Sequence, residues 1–393
     1  MAFTIRQIRI GVQRRLFQQK RLVSEVKFTI PPFKLHKIKN GPSTTVTLKK
    51  DEALQIYDNM KMIREMEDAG MKLYKEKKIH GFCHLYSGQE ASAVGFNSAM
   101  DVDDAATTSY RCHGWAYLLG ATVTEILAEM TGKVSGIANG KGGSMHMHTK
   151  RFFGGNAIVG SQTSLGTGVA FSFKYRNMKN VAVTCFSDGS ANQGQLYESM
   201  NMAQLWKLPV VYVCENNGWA MTTKSNKSAA QPDYYTRGDY IPGIRVDARD
   251  VLATREALRW AKEHCNAGRG PVLLESVMFR FYGHSMGHPS LEPFTPEELE
   301  GIRRDHDPIL LFKKRIIDAK LVNEAEIAAI DANVRKVVDK AVVAATTDKE
   351  LPEEAVYADV YHNTAPFRMQ GLTSRDYIVP KYTTTREIIK SQK

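Results

Sequence analysis

The stretch VAVTCFSDGSANQGQLYESMNMAQLWKLPVVYVCENN, residues 181–217, holds two short apolar runs on either side of a segment with helical character. Residues 181–186 and 209–216 predict strands, and residues 191–206 predict the helix between them. Such a unit is typical of parallel strands joined by a crossover helix. The stretch therefore predicts an α/β fold with a mostly parallel sheet and helices on both faces.

A polar group follows each strand of this unit. Asp188 comes directly after the first strand, and Asn217 follows the second. Neighbouring strands lie about 4.8 Å apart, so we expect the two side chains to converge on one hard cation. Magnesium takes one or two protein oxygens and completes its shell with phosphate oxygens and water, so the missing ligands imply a diphosphate. Gly189, Ser190 and a helix beginning near Ala191 favour an anion there. An Asp-Gly pair alone would fit an ordinary turn equally well.

The same alternation continues on both sides of this unit. Helical patterns occur over residues 51–78, near 121–132, and over 163–175, 251–267 and 308–348, and another strand is predicted over 271–279. Residues from about 80 to 165 are rich in Gly, His, Ser and aromatics, which indicates loops built around a site. We expect one α/β domain over residues 29–350 and an irregular C-terminal tail over 351–393.

Positive charge is concentrated near the N-terminus. The 393-residue chain has a formal net charge of +11, and residues 1–30 carry seven basic residues against one acid. The acid-poor, amphipathic segment FTIRQIRIGVQRRLF is typical of a mitochondrial transit peptide, which we expect over residues 1–28, with a surface helix as the alternative. The mild charge of the remainder argues against a nucleic-acid-binding module.

Cysteine and histidine spacing gives no sign of a structural metal. The five cysteines form no CxxC pair, which predicts reduced thiols rather than a disulfide framework or a zinc site. The pair His146 and His148 has no evident third ligand and is interpreted as part of a loop. No apolar run reaches the length of a membrane span, so no transmembrane helix is expected.

Six motifs resemble, in unbroken order over roughly residues 45–365, the alpha subunit of the pyruvate-type thiamine-diphosphate-dependent 2-oxo acid dehydrogenases. They are GFCHLYSGQE (81–90), SYRCHG (109–114), GKGGSMHM (140–147), ANQGQLYESMNMAQLWKLPV (191–210), RGDYIPGIRVD (237–247) and YGHSM (282–286). Asp188-Gly189 followed by Asn216-Asn217 resembles the family's thiamine diphosphate and magnesium motif, which usually opens with Gly-Asp-Gly.

This resemblance implies the thiamine-diphosphate-binding fold and an α2β2 heterotetramer in which a separate beta chain is needed for activity. It implies an oxidoreductase of the mitochondrial matrix that decarboxylates pyruvate. The acetyl group would then pass to the lipoyl group of an acyltransferase component. This sequence of reactions yields acetyl-CoA and connects glycolysis to the TCA cycle.

The resemblance also implies roles for individual residues. Asp188, Asn217 and the main-chain carbonyl of Trp219, where the family usually has Tyr, would bind magnesium. His84 and His284 would be the active-site histidines, since imidazole suits proton transfer near neutral pH. The other positions carried over as substrate- or cofactor-binding are Tyr110, Arg111, Thr149, Ala157, Val159, Gly189 and Ser190; the planar guanidinium of an arginine suits phosphate.

Ser285 matches the family's principal inhibitory phosphorylation serine, which implies a regulatory kinase and phosphatase. A phosphate there would add negative charge beside His284 and the anions of the cofactor. The two other family serines fall on Gln231 and Glu292, so we expect a single controlled position. The alternative is that Ser285 is an ordinary loop serine.

Several residues near the expected chemistry depart from the family pattern. Ser187, Ala157 and Thr222 stand where the family usually has Gly, and a Cβ that is forced to a positive φ costs about 1 kcal/mol or more. His288 and Phe294 stand where Asp and Arg are typical, so we expect a less ordered or differently docked loop.

These departures leave two alternatives open. One is a weakly active or inactive paralogue that pairs with the beta chain. The other is the branched-chain 2-oxo acid counterpart, which FCHLYSGQE and KGGSMHM disfavour.

Overall fold

A computed structural model describes residues 25–288, 294–360, 369–370, 377–378 and 383–391. The strands are β1 (Glu25–Thr29), β2 (Lys34–His36), β3 (Thr45–Lys49), β4 (Ala105–Ser109), β5 (Phe152–Asn156), β6 (Ala182–Ser187), β7 (Val210–Asn216), β8 (Trp219–Ala220), β9 (Thr223–Lys224), β10 (Gly243–Asp247), β11 (Val272–Val277), β12 (Met369–Gln370) and β13 (Tyr377–Ile378). Seven of them form the central sheet in the order β2-β10-β11-β7-β6-β4-β5. All of its pairings are parallel except that of β2 with β10. The predicted α/β class is confirmed.

Helices connect and cover these strands. They are Lys50–Lys75, Glu90–Ala99, His113–Leu118, Val123–Met130, Ser161–Tyr175, Gly194–Leu205, Ser225–Ser228, Val251–Asn266, Pro296–His306, Pro308–Asp318, Glu324–Thr347 and Thr385–Ser391. Short 3-10 turns occupy Gly143–Met145, Ser190–Asn192, Tyr234–Thr236 and Glu353–Tyr357. Within the described ranges, none of the helices has the length and apolar character needed to cross a membrane.

The central strands are buried on both faces. In β7, Val211 and Val213 belong to the larger hydrophobic core. Val210 and Tyr212 belong to the smaller core, together with Met200 of helix Gly194–Leu205. Because successive side chains of a strand point to opposite faces, the sheet lies between two cores. This double burial explains why residues 209–216 read as a nearly continuous apolar run.

The N-terminal part of the described chain is a short antiparallel pair. β1 pairs with β3, with Val26 opposite Leu48 and Phe28 opposite Val46. Of the predicted transit peptide, residues 1–24 lie outside the described part of the chain. The first strand of the described chain, which begins at Glu25, overlaps the last residues of the range 1–28 predicted as a transit peptide.

The region predicted as loops, residues 80–165, contains more regular structure than expected. Helix Glu90–Ala99 and strands β4 and β5 all lie within it. The helix predicted from residue 191 begins at Gly194, after a 3-10 turn, and the single helical region predicted over 308–348 is two helices. The five cysteines are buried and free, as predicted.

Candidate active site

The site lies where β6 and β7 end in the middle of the sheet. The two strands pair in parallel with Ser187 opposite Glu215, which confirms that consecutive strands are neighbours. Asp188 and Asn217 therefore follow the strands at the same edge of the sheet. A cavity of about 310 Å³ opens there. It is lined by Gln89, Ser109, Tyr110, Arg111, Val159, Ser187, Gly189, Ser190, Glu215, Asn217, Trp219, Ala220, Met221, Arg280 and His284.

Asp188 is a buried carboxylate whose burial is only partly offset by its neighbours. Only 1% of the residue is exposed, and neither carboxylate oxygen has a hydrogen-bond partner among the described residues. Burial raises the pKa of Asp188 to about 6, and the nearby Gly189 main-chain N–H and Arg280 guanidinium offset this only in part. A bare carboxylate in such a place is costly unless a cation meets it. The donor set therefore fits a divalent metal ion.

The two asparagines of the motif have different surroundings. Asn216 is engaged at both ends: its Nδ2 donates to Glu275 at 2.7 Å, and its Oδ1 accepts from the Gly218 N–H at 3.0 Å. Asn217 lines the cavity and donates from Nδ2 to Gln89, while its Oδ1 faces the Trp219 N–H at a long 3.4 Å. The oxygen of Asn217 is thus the less engaged of the two.

The turn after β6 allows close approach of the backbone. A Cβ on Gly189 would lie 2.7 Å from the Cβ of Ala220, so glycine is required there by space and not by its φ of −64°. The Ser187 and Ser190 hydroxyls lie 2.9 Å apart and hydrogen-bond to each other.

The strain expected at Ser187, Ala157 and Thr222 is absent. None of the three has a positive φ, whereas Met221, next to Thr222, has a φ of 54°. The expectation of a conformational penalty at these positions was wrong, because the backbone there adopts angles open to any residue.

Two histidines and a tyrosine form a compact aromatic group. The rings of His84 and Tyr110 are 4.3 Å apart between centroids, and those of His84 and His284 are 5.4 Å apart. Burial, with the positive charge of Arg111, lowers the pKa of His84 to about 2 and that of His284 to about 4. Both imidazoles are therefore neutral at pH 7. The Nδ1 atoms of both rings have no hydrogen-bond partner in the described part of the chain.

Arg111 joins the two histidine segments. Its guanidinium donates to the Leu85 carbonyl at 2.6 Å and to the His284 carbonyl at 2.9 Å. It is 5% exposed, and burial lowers its pKa. Arg280 is 6% exposed, and burial together with the charge of Arg111 lowers its pKa to about 9. Two cationic groups beside one cavity are suited to a multiply charged anion.

Four of the residues predicted to bind substrate, cofactor or metal are not among those that line the cavity: His84, Thr149, Ala157 and Asp188. The Thr149 hydroxyl donates to the Leu119 carbonyl at 2.7 Å and accepts from the Phe152 N–H at 3.2 Å, so it closes the turn before β5. His146 and His148 belong to no cluster of three or more metal-binding side chains in the described chain.

The segment that carries Ser285 is tied to the His84 segment. Ser285 is 3% exposed, and its hydroxyl lies 3.5 Å from His288 Nδ1. The Met286 N–H donates to the Cys83 carbonyl at 2.8 Å. Glu292 lies outside the described residues, and Gln231 is exposed.

Phe294 is docked by aromatic contacts, with ring centroids 5.6 Å from Phe279 and 6.3 Å from Trp219. The less ordered or differently docked loop expected around this position stays a prediction.

Sequence reasoning did not single out Gln89, Glu215 or Arg280, all of which line the cavity. Glu215 precedes the Asn pair, and burial raises its pKa while Tyr86 donates to it at 2.5 Å. Gln89 and Arg280 lie within or just before recognised motifs. Gln89 lies within GFCHLYSGQE and Arg280 lies two residues before YGHSM, so these motifs could have indicated both residues.

An α/β chain that presents a buried carboxylate, a carboxamide oxygen and buried arginines at the sheet edge has the donor groups of an enzyme that binds an anionic cofactor. The family model described as "Dehydrogenase E1 component" matches residues 58–354, and the chain belongs to this family. The family is thiamine-diphosphate-dependent, so the resemblance seen in the motifs is confirmed.

Three relatives cover nearly all of the chain. It is 56% identical to the "Probable pyruvate dehydrogenase E1 component subunit alpha, mitochondrial" of Caenorhabditis elegans, over 95% of this chain and 94% of that protein. It is 55% identical to the type I E1 alpha subunit of Ascaris suum pyruvate dehydrogenase, over 94% and 92%. It is 44% identical to the somatic form of the human E1 alpha subunit, over 91% and 92%.

Proposed function

We propose that this chain is the alpha subunit of a mitochondrial, thiamine-diphosphate-dependent pyruvate dehydrogenase, active only with a beta subunit. Its membership of the dehydrogenase E1 component family and the names of its relatives support this function. The observation that carries it is Asp188, whose buried carboxylate oxygens have no partner in the described chain, at the edge shared with Asn217.

Asp188, Asn217 and the main-chain carbonyl of Trp219 would hold magnesium, and through it the diphosphate of the cofactor. The N–H groups of Gly189 and Ser190 lie at the same turn, and Arg111 and Arg280 would meet the negative charge. Bound thiamine diphosphate supplies the carbon nucleophile and the electron sink for decarboxylation of a 2-oxo acid.

The two histidines would then hold and move protons. Because Arg111 and Arg280 both lower the pKa of His284, an anion that neutralises them raises that pKa toward its ordinary value. Burial, the largest cause of the lowered pKa of His284, would remain, so the anion would reverse only the part of the shift that is due to the arginines. The arginines therefore couple binding to proton transfer.

The alpha chain would provide one half of the active site. Val159 and Met221, which line the cavity, are 40% and 52% exposed, as suits a surface that a beta chain covers in an α2β2 heterotetramer. The acetyl group would leave on the lipoyl group of an acyltransferase component in the mitochondrial matrix. We propose neither a nucleic-acid nor a membrane partner.

Ser285 would be the site of regulation by a kinase and a phosphatase. Since Ser285 is 3% exposed, a kinase would have to displace the segment around it before phosphorylation. A phosphate of about −2 charge could not return to that buried position beside His284 without a large desolvation cost. Phosphorylation would thus hold the segment away from the site.

The test is co-expression with a cognate beta chain and assay of decarboxylation with pyruvate and with branched 2-oxo acids. Thiamine diphosphate and magnesium are added or withheld, and Asp188→Ala is compared with the wild-type chain. Turnover of pyruvate that needs both cofactors and is lost in Asp188→Ala supports the proposal. Cofactor binding without turnover would favour the inactive paralogue, and turnover of branched substrates alone would favour the branched-chain reading.

A further inference from the structure

Asn217 can bind a metal ion through only one end of its side-chain amide, whereas Asp188 can use either carboxylate oxygen. The two ends of a carboxamide have nearly the same size, but only the oxygen offers lone pairs to a metal. A site that uses Asn217 therefore needs neighbours that fix which end faces the ligand. A carboxylate has oxygen at both ends and needs no such help.

Two neighbours distinguish the ends of the Asn217 amide. Its Nδ2 donates to Gln89 Oε1 at 3.1 Å, and its Oδ1 faces the Trp219 main-chain N–H at 3.4 Å. Turning the amide by 180° would set its NH2 against the Trp219 N–H, donor against donor. It would also remove the hydrogen that Gln89 accepts. The two contacts thus favour the same orientation.

The backbone of Gln89 is held by hydrogen bonds at the start of a helix. It immediately precedes helix Glu90–Ala99, its N–H donates to the Tyr86 carbonyl at 3.1 Å, and its carbonyl accepts from Ser92 at 3.0 Å. The residue is 1% exposed and lines the cavity. Its Nε2 has no hydrogen-bond partner among the residues that the structure describes. In this arrangement its Oε1 accepts from Asn217, while its NH2 remains available to an acceptor in the cavity.

We propose that Gln89 is a positioning residue that orients the Asn217 oxygen toward the magnesium ion; this inference rests on the proposed function. Hydrogen-bond partners of metal ligands typically change metal affinity 10–100-fold. Gln89→Leu keeps the approximate volume but removes the acceptor, so it weakens metal binding by about that factor.

The experiment measures Mn²⁺ affinity of the α2β2 assembly with thiamine diphosphate, from the electron paramagnetic resonance signal of free Mn²⁺. Four alpha chains are compared: wild type, Gln89→Leu, Asn217→Asp and the double variant. Because Asn217→Asp places oxygen at both ends, adding Gln89→Leu to it causes little further loss. Gln204→Leu is the control, since Gln204 is half-buried in helix Gly194–Leu205 and lines no part of the cavity.

Two results overturn the inference alone. One is unchanged Mn²⁺ affinity in Gln89→Leu. The other is an equal loss from Gln89→Leu in both backgrounds, which would mean that Gln89 does not act through Asn217. A wild-type assembly that binds no Mn²⁺ in the presence of the cofactor would instead contradict the proposed function, and the inference with it.

Discussion

Asp188→Asn is expected to stabilise the metal-free protein while it removes metal binding. The ordinary pKa of an aspartate is 3.8, and burial raises that of Asp188 to about 6. Between these pH values the folded chain binds a proton that the unfolded chain has released, so stability falls as pH rises. Above about pH 6 the carboxyl group is ionised in the folded chain, and the full loss in the free energy of unfolding is present. At 1.36 kcal/mol for each pH unit, it amounts to about 3 kcal/mol.

An uncharged amide in the same place avoids this penalty. If the alpha chain unfolds as one unit of 393 residues, about 3 kcal/mol corresponds to a rise of about 4 °C in melting temperature. The gain in stability at pH 5 is about half of that at pH 7.5, because the wild-type carboxyl group is then mostly protonated in the folded state. The assay is thermal melting of the assembly in a chelator at both pH values, followed by circular dichroism.

Adding magnesium and thiamine diphosphate reverses the order of stabilities, because only the wild-type chain gains from binding. The control is Asp239→Asn, at a surface carboxylate that is 91% exposed and whose ion pair with Lys37 contributes little. A lower melting temperature for Asp188→Asn in the chelator at pH 7.5 would contradict a destabilising carboxylate at this position. It would mean that the Asp188 carboxylate has a structural partner.

Three further substitutions probe the surroundings of the metal site. Gly189→Ala places a Cβ 2.7 Å from that of Ala220, which should lower the free energy of unfolding by about 1–3 kcal/mol. It should also weaken thiamine diphosphate binding, measured by calorimetric titration. Unchanged binding would contradict the close approach of the backbone at this turn. Arg111→Gln removes a positive charge, so the pKa of His284 should rise from about 4 in a histidine NMR titration; no rise would exclude the proposed coupling. Ser285→Glu should lower kcat by about tenfold or more while Ser285→Ala keeps it, and equal activities would argue against control at this position.

The strand–helix–strand unit over residues 181–217 could be predicted because its strands are buried on both faces and therefore apolar along their length. Its polar ends then located Asp188 and Asn217 at one edge. β4 was missed because its sequence, AATTS, is small and polar although all five residues are buried. Nothing in its pattern distinguishes it from a loop.

Other parts of the site depend on contacts between distant segments. Gln89 and Asn217 are 128 positions apart, and their hydrogen bond exists only because the fold brings helix Glu90–Ala99 to the end of β7. The error at Ser187 had another cause. A residue type indicates which φ values are allowed, but not which one the chain adopts.

The proposed function depends on Asp188 and Asn217 binding one divalent ion, which in turn binds the diphosphate. Its most direct test is a crystal structure of the α2β2 assembly with thiamine diphosphate and Mn²⁺, with data recorded for anomalous scattering from manganese. We expect one manganese peak, bound by a carboxylate oxygen of Asp188 and the carboxamide oxygen of Asn217. A bound cofactor whose manganese peak lies away from these two side chains would contradict it.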